Sequence, residues 1–574
     1  MAVDQILKAQ SIITMDPANP RAEAVAFDSA AGTIATVGTL AEVQAANPGV
    51  AVTDLGSSTL LPGFIDPHSH PVLGGITTME PALWIAPYVG YPTYKDVTDL
   101  FTKVNASTPA GQPLLFSGLD RTLQGSPELT AAELDVFFPD RPVFIIDNSG
   151  HEAYFNTALV KQLGWTDGKP PADPAGAHFG RNDDGTSNGR AYETAALLAA
   201  GGWVLANAVP HPLLSSAKWY KMMAENGITA TSEHTFQSNL LPAMTALASM
   251  PDSPLRLSYY HMSIDADCGD HIPSPAPESM LKKNGIKLWA DGSPWVGTIA
   301  STIAYEDNAV TRGAGITPGI HGEEMMNYTR AQIDTVIDAQ AAKGWQFAFH
   351  CNGDMALDIV LDAYEYGLNK YNLIGTDHRW RVEHVGAGRA DQFKRAAELG
   401  VGISMSPFQF VYWGDLLDGT LFDTSVGAQW QRFADAVKSG AVVSFHNDGS
   451  VSPPLPLLNI QTAVTRTTIT GKLHGPEQKI SLDDALKAHT VNAAYHLLRD
   501  NEIGSIVAGK FADFVELGAD PYAVDPSTIA KIEVKGTYRG GKKINLDAFI
   551  AQVQSVDPSE HKDLAAAAPH SHKC

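Results

Sequence analysis

The sequence predicts an α/β protein: a (β/α)8 TIM-like barrel, a small β-sandwich built from both chain ends, and a large insertion after the first barrel strand. Three observations predict it. Eight short apolar runs end in polar or ionisable residues and alternate with helical stretches, the pattern of βα units around a parallel sheet. Both chain ends are rich in strand signals, yet neither carries enough strands for a stable sheet of its own. Between the first and second barrel runs lies far more chain than one βα loop needs.

The elements follow in order. Residues 5–15, 23–27 and 33–37 read as strands, the last after an Ala-Gly hairpin turn. Residues 512–517 and 532–538, the latter followed by Arg539-Gly-Gly-Lys, read the same way, so segments 1–58 and 504–555 are expected to pair into one composite β-sandwich. The barrel, 59–503, takes its strands from 59–66, 227–234, 255–262, 285–291, 345–350, 379–384, 400–405 and 441–448. Amphipathic helices over 329–343, stopped by Gly344, and 355–367 fit as connectors. Residues 80–210 form the insertion, a cap over the barrel mouth with apolar segments at 143–147 and 191–200. The Gly-, Pro-, Asp- and Asn-rich stretch 167–188 is expected to be an exposed loop. The tail 556–574 has no core-forming pattern and is expected to be flexible.

Composition narrows the function. A chain of 574 residues, 44% apolar and 18% charged, is too long for a single small binding module and too apolar for wholesale disorder. Forty basic against 63 acidic residues, a net charge of −23, disfavour nucleic acid and anionic lipid as partners. The start MAVDQILKAQSIITMD lacks the pattern of a signal peptide, and no apolar run is long enough to span a bilayer, so a cytoplasmic protein is expected, a homo-oligomer being compatible. The three cysteines, Cys268, Cys351 and Cys574, are too few and scattered for a disulfide framework or a zinc-thiolate site. Any metal therefore falls to carboxylates and the 19 histidines.

His68-Ser69-His70 is an H-x-H pair, and two residues apart on a strand both imidazoles share a face and reach one metal. The pair alone is a weak signal, since a second, His570 and His572, sits in the tail and reads as solvated polar residues. The setting strengthens the first: the run LLPGFID delivers it to the C-terminal end of the first barrel strand, where barrel active sites lie. Strand four carries Lys287, strand five ends in His350, strand six in His384 and strand eight in Asp448, each metal-compatible. As plain readings, Lys287 serves equally as a surface charge or an ion pair with Asp291, and His350 or His384 as a satisfied core histidine.

LLPGFIDPHSH, NSGHEAYFNTAL, IKLWADGS, HCNGD, RVEH, HNDGSVSPPLPLLNIQTAVTR and GSIVAGKFADFV, in this order, resemble the blocks of the metal-dependent amidohydrolase superfamily, and within it the YtcJ-like branch that includes N-substituted formamide deformylases. The likeness covers nearly the whole chain. It implies that His68 and His70 bind one divalent metal, most simply zinc, and His350 and His384 a second. It further implies that Lys287, N-carboxylated, bridges the two, and that Asp448 binds the first metal and acts as the base. Carbamylation makes chemical sense, because an ammonium cannot ligate a cation whereas a carbamate can.

Relatives usually carry Ser-Asp or Gly-Ser-Asp at strand eight, where this chain has His446-Asn447-Asp448; His446 adds a polar residue on the same strand face. His234 and His261, near strand ends two and three, read as structural or supporting rather than ligating. His151, in the resembling cap block NSGHEAYF, faces substrate or caps a helix start. Aromatic residues after strands four and seven, Trp289 and Trp295, then Phe408, Phe410, Tyr412 and Trp413, favour an apolar or aromatic small-molecule substrate or else pack cap against barrel. The expected activity is hydrolysis of a non-peptide C–N bond, of an N-substituted formamide, linear or cyclic amide, with an ester also open. A metal-dependent lyase or decarboxylase would differ in its products, and a non-catalytic binding protein in lost ligands.

Overall fold

The computed structural model describes residues 3–174 and 176–564. Eight parallel strands run in sequence order around one sheet: Phe64–Ser69, Ile228–Phe236, Arg256–Met262, Leu281–Trp289, Gln346–Cys351, Arg381–His384, Gly402–Met405 and Val443–Phe445. Each of the eight expected runs contributes one barrel strand. Helices cover their outer faces and side chains fill the interior, so most of these strands are buried on both sides and read as nearly continuous apolar runs. The first and eighth strands are joined by side chains and turns: the Asp448 amide donates to His68 O at 3.2 Å, the His70 amide to Gly449 O at 2.9 Å, and Asn447 donates to both oxygens of Asp66. The sequence thereby seals the barrel at the site.

The run 59–66 needs a correction. Thr59–Pro62 pairs antiparallel with Phe514–Leu517 in a different sheet, and only Phe64–Ser69 belongs to the barrel. One buried run serves two sheets, and Gly63 marks the switch, because a Cβ there would lie 2.1 Å from Thr229 Oγ1. The terminal unit therefore runs to Pro62 rather than 58. Its eight strands come from both ends of the chain: Gln5–Ile13, Arg21–Asp28, Thr33–Gly38, Val52–Asp54 and Thr59–Pro62, with Phe514–Leu517, Val534–Arg539 and Lys542–Lys543. They form one hydrogen-bonded sheet, with Leu7, Val25, Phe27 and Phe514 packed on one face and Ile6, Ala24 and Ala26 on the other. A buried bidentate pair clamps it to the barrel: Arg256 Nε and Nη2 donate to Asp513 at 2.6 and 3.1 Å.

The insertion holds a six-stranded sheet, Leu83–Trp84, Leu114–Leu119, Val143–Asp147, Glu152–Phe155, Ser187–Tyr192 and His178–Arg181, followed by the helix Thr194–Ala208. The stretch 167–188 is thus more than a loop, since His178–Arg181 pairs with Ser187–Tyr192 around a turn in which Gly185 takes φ +83°. The tail is also corrected in part: Pro558–Leu564 is a short 3-10 helix and Leu564 is buried in the main core, one apolar anchor sufficing to hold the segment down. Residues 565–574, with His570, His572 and Cys574, lie outside the described residues. No single helix among the described residues is long and apolar enough to cross a membrane.

The connectors behave as their caps require. Arg330–Gln340 starts at Thr329, whose side chain accepts from the Gln332 amide, and its last 3-10 turn stops at Gly344 with φ +79°. The helix Pro71–Thr78, which follows His70 directly, sits so close to Pro212–Glu225 that a Cβ on Gly75 would lie 2.5 Å from Ser216 Cα. That close seat fixes where the first strand delivers its histidines.

Candidate metal centre and its cavity

The strand ends converge as barrel geometry requires. His68 Nε2, His70 Nε2 and Asp448 Oδ1 gather as one three-donor group, with Asp448 Oδ1 3.1 Å from His70 Nε2 and 3.6 Å from His68 Nε2. His68, His384 and His446 form a second group sharing His68. His384 Nε2 is buried with no hydrogen-bond partner, and Asp448 Oδ1 faces only the imidazoles of His68 and His70. A buried imidazole nitrogen left unpaired, beside a buried carboxylate oxygen that faces only imidazoles, is the donor arrangement of a cation site. The donor set fits a divalent metal.

Neighbouring groups aim these donors. Glu383 Oε2 accepts from His68 Nδ1 at 2.7 Å, which leaves Nε2 for the site, and Glu383 is itself bound by Arg381. The Arg381 guanidinium also donates to Pro67 O at 2.6 Å, tying strand six to strand one. His70 Nδ1 lies 3.2 Å from Thr235 Oγ1 and 3.4 Å from Glu233 Oε1. His68 is stacked between His234, at 3.9 Å between ring centroids, and His446, at 4.7 Å. His384 and Asp448 take φ +71° and +53°, left-handed backbone that non-glycine residues adopt mainly where a site demands it.

Electrostatics agrees with the geometry. Burial drives the imidazoles of His68, His350 and His384 well below the usual 6.5, neighbouring cationic groups adding to it, so they are neutral and able to ligate. Around His70 burial is outweighed by Asp448 and Glu233, which hold it up at about 9. Asp448 in turn is held at about 2, burial being outweighed by His70. The field that keeps a proton on His70 is the field that favours a cation between these groups. Burial brings Lys287 down from 10.5 to about 8; its Nζ is 3.1 Å from His68 Nε2, and no carboxylate pairs with it among the described residues.

His350 departs from its expected place. Its Nε2 donates to Gly292 O at 2.9 Å, leaving only Nδ1, and it joins no three-donor group among the described residues, although its ring lies 4.4 Å from that of His384. His446, read from sequence as a polar residue supporting the site, lies in the second group with both ring nitrogens engaged, Nδ1 with Ser404 Oγ and Nε2 with Ser406 Oγ at 2.8 Å each, and Nε2 3.1 Å from His384 Nδ1. His261 Nε2 meets Asp265 at 3.1 Å and Asp267 at 3.4 Å at the end of strand three, away from the cavity lining. The ion pair of Lys287 with Asp291 does not form: the Asp291 carboxylate accepts from the amides of Ala300, Asn352 and Gly353.

A cavity of about 150 Å³ opens onto these donors and is lined by His68, His70, His350, His384 and Asp448 at one end. His151 faces it from the insertion, its ring 4.9 Å from that of His350, and Trp289 lines it as expected. Trp295, Phe408 and Trp413 do not line it. They lie in a separate buried cluster where Trp295 stacks on Trp413 at 4.0 Å, and the Trp413 indole donates to Asp120 at 2.9 Å. The apolar lining comes instead from Leu73 and from the insertion: Phe144, Ile146, Leu197, Leu198 and Leu205. The sequence marked 143–147 and 191–200 as apolar segments of a cap over the barrel mouth, and four of these residues lie in them, but it did not single out their side chains as the cavity wall.

Barrel, strand-end histidines and terminal aspartate together define a metal-dependent hydrolase architecture. The match to the amidohydrolase family model spans residues 51–544, and the chain belongs to that family. It is an amidohydrolase, an enzyme acting on carbon–nitrogen bonds. The chain is 27% identical to the N-substituted formamide deformylase of Arthrobacter pascens, over 94% of this chain and 97% of that one. It is 24% identical to the putative amidohydrolase YtcJ of Bacillus subtilis, over 92% and 97%. Among solved structures, an uncharacterized metal-dependent hydrolase from Pyrococcus horikoshii superposes with a TM-score of 0.68 at 21% identity, over 91% of this chain and 99% of that one, a likeness of fold.

Proposed function

We propose that the protein hydrolyses an amide-type C–N bond, of an N-substituted formamide or similarly small acyl amide, whose nitrogen substituent is apolar. One observation carries this reading: a single cavity joins the His68, His70 and Asp448 donors to an apolar wall of Phe144, Ile146, Leu197, Leu198 and Leu205. A cavity of about 150 Å³ in all suits a small acyl amide, with its carbonyl at the donors and its substituent on the wall. The likeness to a formamide deformylase points the same way.

His68, His70 and Asp448 would hold the cation, with His384 and His446 beside them, and imidazole with carboxylate is a set that suits zinc. A divalent cation bound there supplies Lewis acidity, making water a nucleophile near neutral pH and polarising a carbonyl. The chain supplies the rest. Asp448, ionised, takes the proton of the attacking water and returns it to the departing nitrogen. Glu383 keeps His68 turned to the site, and the wall excludes bulk water from the bond being cut. For Lys287 the reading is N-carboxylation: a buried amine brought down to about 8 is partly neutral at physiological pH, the form that takes up CO2, and a carbamate ends its repulsion of a nearby cation.

The test is a panel of N-alkyl and N-aryl formamides, acetamides and matched esters, scored by release of amine and acid together with metal content. Formamides with apolar substituents should give the highest kcat/KM. Decarboxylation products, or no preference for apolar substituents, would overturn the reading.

A further inference from the structure

Glu193 has a backbone its residue type does not want. Its φ of 65° and ψ of 155° fall in a region that is essentially reserved for glycine, because a Cβ there crowds the flanking peptide groups. Glu193 starts the helix Thr194–Ala208 without capping it by its side chain. The carboxylate turns instead onto His151, whose Nδ1 lies 3.0 Å from Oε2 and 3.2 Å from Oε1. The Glu193 amide also donates to His151 O at 2.7 Å, so one residue fixes both main chain and ring of its neighbour. Asn327 completes the seat from the barrel side: its Nδ2 lies 3.4 Å from Glu193 Oε2 and 3.3 Å from Asp291 O, and its amide donates to Ala290 O at 2.8 Å.

We infer that Glu193 is a positioning residue for the reaction, held in glycine-type backbone because its carboxylate must aim His151 into the cavity. A carboxylate accepts only, so His151 Nδ1 carries the donated hydrogen and Nε2 is the edge left for substrate, beside His350. His151 is thereby the insertion's contribution above the donors, and Asn327 registers the insertion on the loop after strand four. Strain of this kind persists where the surroundings over-determine it, as this three-residue network does. Were the side chain idle, glycine, which adopts this backbone freely, would serve better at this position.

The inference rests on the proposed hydrolysis for its kinetic readout but has two readouts that need no substrate. Glu193→Gly and Glu193→Ala both remove the carboxylate, and only glycine removes the backbone conflict, so the glycine variant should unfold at a higher denaturant midpoint than the alanine variant. This reverses the usual order of these residues. Crystal structures of metal-loaded wild type and Glu193→Gln should show the His151 ring turned from its wild-type orientation in the variant. In kinetics, Glu193→Gln should lower kcat at least tenfold with metal content unchanged, and should cost nothing further in a His151→Ala background. An alanine variant more stable than the glycine one, an unmoved His151 ring, or equal losses with and without His151 would each overturn the inference. A wild-type chain inert on all amides and esters would instead refute the proposed hydrolysis, leaving the stability order and ring orientation to decide this inference.

Discussion

Replacing Asp448 by Asn keeps the volume and hydrogen-bonding reach of the side chain but removes its charge and its ability to take a proton. In the structure Asp448 is 8% exposed and its Oδ1 faces the imidazoles of His70, at 3.1 Å from Nε2, and His68, at 3.6 Å. A positioned general base contributes about 10²- to 10⁴-fold, so kcat should fall by at least about 10²-fold, roughly 2.7 kcal/mol of transition-state stabilisation at 1.36 kcal/mol per decade. KM should change only a few-fold, because the apolar wall that seats the substrate is untouched. Steady-state kinetics on the best formamide, with metal content measured on the same preparation, separates loss of the base from loss of the ion. A variant that keeps more than about a tenth of wild-type kcat would show that Asp448 is not the proton shuttle.

Glu383→Gln weakens the bond that turns His68 towards the site, and metal affinity by competition with a chelator should drop about 10- to 100-fold. Asp513→Ala leaves the Arg256 guanidinium buried without its partner between terminal sheet and barrel, so urea unfolding should show a loss of about 3–5 kcal/mol while kcat of the folded fraction is unchanged. The Asp354 carboxyl, buried but bound by Thr302, Ser301 and Arg389, is held below its ordinary 3.8. Its contribution to stability is therefore complete above that value and is lost as pH falls through the folded-state one. The acid-unfolding profile of Asp354→Asn should accordingly be shallower below about pH 4 than that of wild type.

The barrel was legible in the sequence because most of its strands are buried on both faces and several carry or lead into a polar residue at the catalytic rim, as in IKLWAD and RVEH. His68, His70 and Asp448 were legible for the same reason, being strand-end residues whose side chains have one place to go. The run through Thr59–Pro62 misled because apolar continuity does not reveal which sheet an element joins; only Gly63 hinted at the switch. Glu383 was missed although it directly precedes His384, since a carboxylate two residues from Arg381 on one strand reads as a local ion pair and its reach to His68 is a three-dimensional fact. The aromatic residues after strands four and seven read from sequence either as facing substrate or as packing cap against barrel; Trp289 lines the cavity, whereas Trp295 and Trp413 stack on each other with Trp413 bonded to Asp120 of the insertion, and the cavity wall comes from Phe144 and Leu205. Glu193 left no signal at all, because backbone strain has no signature in residue type.

The central claim, metal-dependent cleavage of a C–N bond, is tested most directly by stripping the chain with a chelator and titrating zinc back while following amine and formate release from an N-substituted formamide with an apolar substituent. Activity should vanish with the metal and return in proportion to bound zinc, saturating at one or two ions per chain, with amine and formate released in equal amounts. Full turnover by metal-free protein, or restored metal without release of amine, would contradict it.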